Sequence, residues 1–301
     1  MKQVGIYQLD GLETLFDLSG SVATGIFPAG EPYAKFAPGW QFKDGAPTLV
    51  TASIRCAVDF LTFCETVRAI KLHTDRVIAF IPYFPAARQD RSTSLPTMNM
   101  SVGLYADIVN RLGLDRVFLL DPHSPVTPAL INNVRVLDVA DLCVEACCLG
   151  TQKAFAAYEY AGVIAPDAGA EKRAYDVASH YNMQVPVYTA GKHRDVATGQ
   201  LAGFSFGADL DPGRYLLVDD ICDGGGTFAG LLAKIRENHI PSVYKFDLWV
   251  THGVFSGNAR QNLKGFDRVI TTDSVHVGGE GYEVWPLMAE LAHIFERELK
   301  Q

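Results

Sequence analysis

Apolar residues along the chain fall into two alternating patterns. Short continuous runs rich in β-branched or aromatic residues occur at Val4 to Tyr7, Thr48 to Val50, Arg76 to Ile81, Arg116 to Leu120, Val163 to Ile164, Val185 to Tyr188, Tyr215 to Val218, Ser242 to Val250 and Arg268 to Thr271. Such runs predict strands covered on both faces. Between them, Ala57 to Lys71, Asn99 to Leu112, Cys143 to Tyr160, Glu171 to His180, Thr227 to Asn238 and Leu287 to Lys300 carry a helical period. Alternation of strand and helix predicts an α/β fold of two doubly wound parallel-sheet domains. The length, 301 residues, agrees with two domains at a soft prior of roughly 150 residues each. The division is expected near residues 135 to 145, giving an N-terminal domain over 1–140 and a C-terminal domain over 141–301, with the last helix packing back on the first domain.

Composition narrows the class. Hydrophobic residues make up 48% and charged residues 20% of the chain, and no apolar run is long enough to span a bilayer. The start, MKQVGIYQLDGLETLF, is acidic where a signal peptide needs a basic head and an apolar core, so a cytoplasmic protein without a membrane partner is expected. A net charge of −8 and the lack of a basic stripe argue against nucleic acid as partner. Cys56, Cys64, Cys143, Cys147, Cys148 and Cys222 form no CxxC pair and have no histidine at zinc spacing; Cys143, Cys147 and Cys148 fall in a helical period and are expected to be reduced core thiols.

In open parallel sheets, ligands gather beyond the carboxyl ends of strands. The segments found there are PYFPAARQDR after Ile81, DPHS after Leu120, APDAGAEKR after Ile164, TAGKHRD after Tyr188, DDICDGGGT after Val218 and THGVFSG after Val250. In DDICDGGGT the acids Asp219, Asp220 and Asp223 are expected on a strand-to-helix turn. The helix that follows is marked by Phe228, Leu231, Leu232 and Ile235 at i, i+3, i+4 and i+7. Gly224, Gly225 and Gly226 let backbone N–H groups converge, and Thr227 adds a hydroxyl at the positive end of that helix, which suits a phosphate. The carboxylates would repel a phosphate but accept hydrogen bonds from vicinal sugar hydroxyls. A ligand with hydroxyls at one end and a phosphate at the other, such as ribose 5-phosphate, satisfies both. A calcium loop fails because Ile221 or Cys222 falls at a ligand position, and a Walker loop fails because Gly226 stands where its lysine belongs.

Together and in order, these segments resemble the ribose-phosphate diphosphokinases, the synthetases of phosphoribosyl diphosphate, from about residue 26 to residue 257. The resemblance implies phosphoribosyltransferase-type domains and ATP as co-substrate. By the same resemblance Arg88, Gln89 and Asp90 bind ATP, with Arg91 continuing the loop. His123 lies near the ATP phosphates and Mg²⁺, Asp167 binds the metal, and Lys172 and Arg173 complete that motif. Lys192 and Arg194 form the Lys-x-Arg of the catalytic loop, where two cations suit charge developing on a transferred group; His193 has no assigned role. THGVFSG resembles a core turn of the family. Phe27 and Glu31 in IFPAGEPY match residues that contact adenine from a neighbouring subunit, although Ala29 stands where the family usually has Asp or Asn. A homo-oligomer built from dimers, up to a hexamer, is therefore expected.

The expected reaction is transfer of the β,γ-diphosphoryl group of ATP to the anomeric hydroxyl of ribose 5-phosphate, catalysed by Lys192, Arg194 and His123, with Mg²⁺ at His123 and Asp167. Bacterial-type relatives commonly carry bulkier side chains where Gly224 and Gly225 stand, so a widened phosphate end also admits ADP-ribose as acceptor, as in family-like enzymes of phage NAD-restoring pathways. Two readings rank lower: a phosphoribosyltransferase, which needs no ATP site, and a non-catalytic regulatory subunit, which would have lost Lys192, Arg194, His123 or Asp167. No residue is assigned as general base.

Overall fold

The computed structural model describes residues 4–10, 14–17, 22–37, 46–94, 97–149, 159–182, 185–194, 201–238, 243–275 and 281–287. The chain divides into two compact units, Met1–Leu137 with Pro286–Gln301, and Asp138–Trp285. No described helix is long and apolar enough to cross a membrane.

The first unit begins with four strands: β1 (Val4–Asp10), β2 (Thr14–Asp17), β3 (Val22–Ile26) and β4 (Pro32–Phe36). It continues through β5 (Thr48–Ala52), helix α1 (Ala57–Ile70), β6 (Val77–Ile81), the short pair β7 (Thr93–Ser94) and β8 (Thr97–Met98), α2 (Ser101–Arg111), β9 (Arg116–Leu120), α3 (Val126–Leu130) and β10 (Val134–Leu137). The sheet order is β10-β9-β6-β5-β1-β2. Strands β5, β6, β9 and β10 run parallel, whereas β1 pairs antiparallel with both β5 and β2. The expected parallel sheet is thus mixed at one side. Strands β3 and β4 form a separate antiparallel hairpin. Val22–Ile26 is only partly covered, with Ala23, Thr24 and Ile26 exposed, and it lacks the continuous apolar run that marks an interior strand in the sequence. The core of this unit is made where Phe60, Phe63, Val67 and Ile70 of α1 and Val102, Ala106 and Val109 of α2 close over Val50, Ala79, Ile81 and Leu119 of the sheet. Fully burying one such side chain is worth roughly 1.5–3 kcal/mol.

The second unit comprises α4 (Ala140–Leu149), β11 (Gly162–Ala165), α5 (Glu171–Asn182), β12 (Val187–Thr189), a hairpin of β13 (Gly191–Arg194) and β14 (Leu201–Ser205), β15 (Gly213–Cys222), α6 (Gly226–Arg236), β16 (Tyr244–Gly253), α7 (Ala259–Asn262) with a 3-10 turn at Leu263–Gly265, β17 (Arg268–Thr272) and β18 (Glu283–Trp285). Its sheet, β12-β11-β15-β16-β17-β18, is parallel throughout. Because β12 lies on one side of β11 and β15 on the other, the connections change direction between β11 and β15. Ligands of open α/β sheets bind at such a switch point. Helix α6 buries Phe228, Leu231, Leu232 and Ile235 against the sheet, the spacing read from the sequence. Helix α4 ends its described course at Leu149, so the rest of the helix expected to reach Tyr160 lies largely outside the described residues, as does the helix expected from Leu287 to Lys300, Leu287 apart.

Beneath the second sheet a charged group is held in the interior. The Asp247 carboxylate, fully buried, accepts hydrogen bonds from Arg214 Nη1 at 2.6 and 2.7 Å and from Tyr160 Oη at 2.8 Å. Arg268 lies 3.6 Å from it and is itself forked onto Glu283 at 2.8 and 2.7 Å. Multiple donors of this kind are what make a buried carboxylate tolerable. Of the cysteines, Cys64, Cys143, Cys147 and Cys222 are buried free thiols, as expected for Cys143 and Cys147, and Cys56, just ahead of α1, is exposed. Burial pushes the Cys64 thiol up to about 12, which keeps it an unreactive apolar residue. The side chain of Cys148 lies outside the described residues.

Candidate active site

In the second unit, the motif segments occupy the carboxyl ends of adjacent strands. In spatial order these are the Lys192–Arg194 segment after β12, the Asp167 segment after β11, the glycine loop after β15 and the THGVFSG turn at the end of β16. The topological switch falls between Asp167 and the glycine loop.

The glycine loop differs from expectation at its start. Strand β15 runs to Cys222, so Asp219 and Asp220 are strand residues and the turn holds only Asp223, Gly224 and Gly225. The two neighbouring acids differ in burial but interact with one another. Asp220 is buried, at 4% exposure. Asp219 lies 3.5 Å from Arg173 Nη1, and its Oδ1 accepts the Asp220 N–H at 2.9 Å. Burial, reinforced by the neighbouring Asp220 carboxylate, holds the Asp219 carboxyl well above its ordinary range, with Arg173 opposing the shift. Arg173 therefore reaches the glycine-loop strand, whereas Lys172 pairs with Asp176 on its own helix at 2.6 Å. The motif's two cations divide between site and surface.

Gly225 precedes α6 in the left-handed conformation, φ 73° and ψ 0°, and no side chain caps the helix. The first intrahelical bond recorded there is Ala229 N–H to Gly225 O at 3.0 Å, so the amides of the first turn remain for an incoming acceptor, as in anion sites at helix starts. The three glycines are not equivalent. A Cβ on Gly225 would stand 3.1 Å from Leu263 Cγ in a backbone region unfavourable to side chains, so the fold itself demands glycine there. A Cβ on Gly226 would meet nothing within 4 Å, and one on Gly224 would meet only Ser256 O at 4.0 Å. The open space beside the loop thus belongs to Gly224 and Gly226, and Gly225 does not contribute to it.

The loop is tied to the segment following β16. Val254 and Phe255 N–H groups both reach Cys222 O, at 2.9 and 3.1 Å. Ser256 Oγ donates to Asp223 Oδ1, and Asn262 Nδ2 donates to Gly224 O at 2.6 Å. Sequence reading placed no functional residue at 262, since one asparagine on a short helix carries no motif, and it treated Ser256 as part of a structural turn.

Asp167 is half-buried beyond β11, with Oδ1 accepting the Gly169 N–H at 2.9 Å. Lys192 and Arg194 lie in β13, where Lys192 is in register with Phe204 of β14; their side chains, and that of His193, lie outside the described residues. The hairpin rests on α6 through Phe204, whose ring would stand 2.6 Å from a Cβ on Gly230.

In the first unit, β6 and β9 are adjacent and their exits carry PYFPAARQDR and DPHS. Arg88 and Gln89 are exposed, while Asp90 is buried at 8% exposure with Arg91 Nε 3.8 Å from it. Asp90 is therefore turned into the protein, apart from its two exposed neighbours. Two residues of these exits, Ala86 at φ 56° and Asp121 at φ 42°, hold left-handed backbone, a conformation that clusters at functional loops. His123 is exposed. Phe27 and Glu31 close the β3–β4 hairpin, with Phe27 N–H bonded to Glu31 O at 2.8 Å, and Phe27, 53% exposed, packs its ring 4.7 Å from Tyr33.

Among the described residues, no three His, Cys, Asp or Glu side chains gather as a metal-binding group. Mg²⁺ bound mainly through nucleotide phosphates and water needs only one or two protein carboxylates. The oriented carboxylate of Asp167 fits that requirement.

No protein-family model matches the chain. Ribose-phosphate pyrophosphokinases of Hyphomonas neptunium and Vibrio cholerae are each 30% identical to it, over 211 and 221 residues, covering 66% and 68% of this chain and 62% and 63% of their own lengths. The ribose-phosphate pyrophosphokinase 3 of Saccharomyces cerevisiae is 31% identical over 204 residues, 66% of this chain and 60% of its own. The chain belongs to the ribose-phosphate pyrophosphokinase family. Its matched part spans about three fifths of the length of these curated relatives. At the level of fold, the crystal structure of phosphoribosylpyrophosphate synthetase from Mycobacterium smegmatis superposes with a TM-score of 0.75, over 93% of this chain and 90% of that one, at 23% identity. As a ribose-phosphate pyrophosphokinase relative, the chain has the α/β architecture of that family, with its glycine loop on the all-parallel sheet.

Proposed function

We propose that this protein transfers the β,γ-diphosphoryl group of ATP to the anomeric hydroxyl of ribose 5-phosphate. The 1-oxygen forms a bond to the β-phosphorus, the bond from that phosphorus to the α,β-bridging oxygen breaks, AMP leaves with that oxygen, and the hydroxyl proton is released. The observation that carries this reading is the acceptor loop itself: a strand bearing Asp219 and Asp220, then Asp223, then an uncapped helix entrance at Gly225 and Gly226. Carboxylates for hydroxyls and amides for phosphate are arranged in the order of a sugar phosphate.

Each residue has a part. Arg88, Gln89 and Asp90 hold ATP at the β6 exit, with Asp90 fixing the loop from within, and Phe27 and Glu31 meet the adenine. Thr227 joins the loop amides at the acceptor phosphate. Lys192 and Arg194 stabilise charge on the transferred group, with His123 beside the nucleotide phosphates. Asp167, on the sugar side, and His123, on the nucleotide side, would hold Mg²⁺, which when bound neutralises charge on the diphosphoryl oxygens. The protein would work in the cytoplasm, its product feeding nucleotide synthesis.

A second acceptor is favoured by the open space at Gly224 and Gly226. A phosphate esterified on its outer oxygen, as in ADP-ribose, requires such space, and its product would be ADP-ribose 1-diphosphate, a precursor for NAD synthesis. The test is incubation with Mg-ATP and each acceptor in turn, with mass-spectrometric detection of AMP and the 1-diphosphate. Turnover of ribose 5-phosphate is the expected result. Failure of both acceptors to give AMP overturns the diphosphokinase reading, and failure of ADP-ribose alone removes the second acceptor.

A further inference from the structure

The segment that would receive the acceptor is rich in glycine. Asp223 and Gly224 are half-buried and Gly226 is exposed, and a run of glycines loses more conformational entropy on ordering than any other sequence. A cradle formed before the ligand arrives must be held from outside. One stretch of chain reaches it residue after residue: Cys222 by the amides of Val254 and Phe255, Asp223 by Ser256, Gly224 by Asn262, and Gly225 by packing on Leu263.

Two of these ties act on the groups that would meet the ligand. A trans peptide unit carries its C=O and N–H on opposite sides. Holding Gly224 O against Asn262 at 2.6 Å therefore turns the Gly225 N–H away from α7. The left-handed Gly225 then leads into the helical Gly226, and neighbouring residues of opposite hand bring successive N–H groups into an anion-binding concavity. At the other end, the Ser256 hydroxyl donates to Asp223 Oδ1, which fixes the carboxylate plane and hence the direction offered to a sugar hydroxyl.

We propose that Asn262 and Ser256 are positioning residues for the acceptor, Asn262 setting the phosphate end of the loop and Ser256 the hydroxyl end. The proposal rests on the reading of the glycine loop as the acceptor site. It predicts that the two effects separate by ligand. Asn262→Ala weakens every phosphate-bearing ligand alike, whereas Ser256→Ala weakens only those that also carry the sugar hydroxyls, and Ser256→Thr restores binding because it keeps the hydroxyl.

Calorimetric titration of the full chain with ribose 5-phosphate and with propyl phosphate, in the absence of ATP, tests this. Asn262→Ala should raise the Kd of both about tenfold, the loss expected when a hydrogen bond that orders a ligand's partner is removed. Ser256→Ala should raise it for ribose 5-phosphate by a similar factor and leave propyl phosphate unchanged. Unaltered binding in both variants overturns the proposal. So does an equal loss of both ligands in both variants, which is the mark of general loosening. If wild-type protein binds propyl phosphate but not ribose 5-phosphate, the acceptor reading and the Ser256 arm fail, and the propyl phosphate titration alone decides Asn262. If it binds neither, both ideas fail.

Discussion

Asp219 illustrates how position changes the chemistry of a residue type. It stands beside Asp220 in a strand covered on both faces, and burial followed by that neighbouring charge favours its protonated form in the folded protein. A carboxyl whose folded pKa is raised binds a proton that the unfolded chain has released, so stability falls as pH rises from the ordinary value of 3.8 toward the folded one. Urea unfolding across that range should show the decline, and Asp219→Asn should remove its share while raising stability at neutral pH; an unchanged pH slope would rule out this origin. Of the site, the residue types and their order were legible in the sequence, because strand exits concentrate Gly, Asp and cations. Which acid is buried, which cation of Lys172 and Arg173 faces the loop, and that Asn262 braces it were not. Each depends on a partner distant in the chain, as with Arg173 and Asp219 or Asn262 and Gly224.

Among the elements, the continuous apolar runs marked the interior strands well: β9 has the bounds read from the sequence, and β15 contains its predicted run and extends past it. That extension is what carried two acids from turn to strand. The antiparallel pair β3 and β4 and the hairpin β13 and β14 escaped, since such short strands carry no continuous apolar run in the sequence. The turn between β15 and α6 offers a comparison of two glycines one residue apart. Gly225→Ala should destabilise the fold by about 1–3 kcal/mol, combining a left-handed alanine with crowding against Leu263. Gly226→Ala enters open space in a helix, so its stability should hold or rise by about 0.5 kcal/mol, while the KM for the acceptor increases. Thermal melts and acceptor titrations on both variants check this, and a Gly226→Ala enzyme with unaltered KM would show that the open space is not used by the ligand.

At the scale of the whole molecule, alternating strands and helices made the two-sheet α/β architecture readable, but the antiparallel edge of the first sheet was hidden because β1 reads like any other apolar run. Exposed Ile26 and Phe27 at the tip of the β3–β4 hairpin, 58% and 53% accessible, are apolar groups presented outward, as a contact with a second copy would require. We predict a homo-oligomer by sedimentation velocity, with Phe27→Asp raising the KM for ATP and leaving acceptor binding intact. A monomeric wild-type chain at micromolar concentration would count against it.

Phe204 sits in register with Lys192 and rests on Gly230, one turn into the helix that starts at the glycine loop. The hairpin that carries Lys192 and the loop proposed to receive the phosphate thereby lean on a common shaft, helix α6. A bulkier residue at 230 would misalign the two in every molecule at once, as a worn spacer does in a jig, and lengthening an incubation would not correct it.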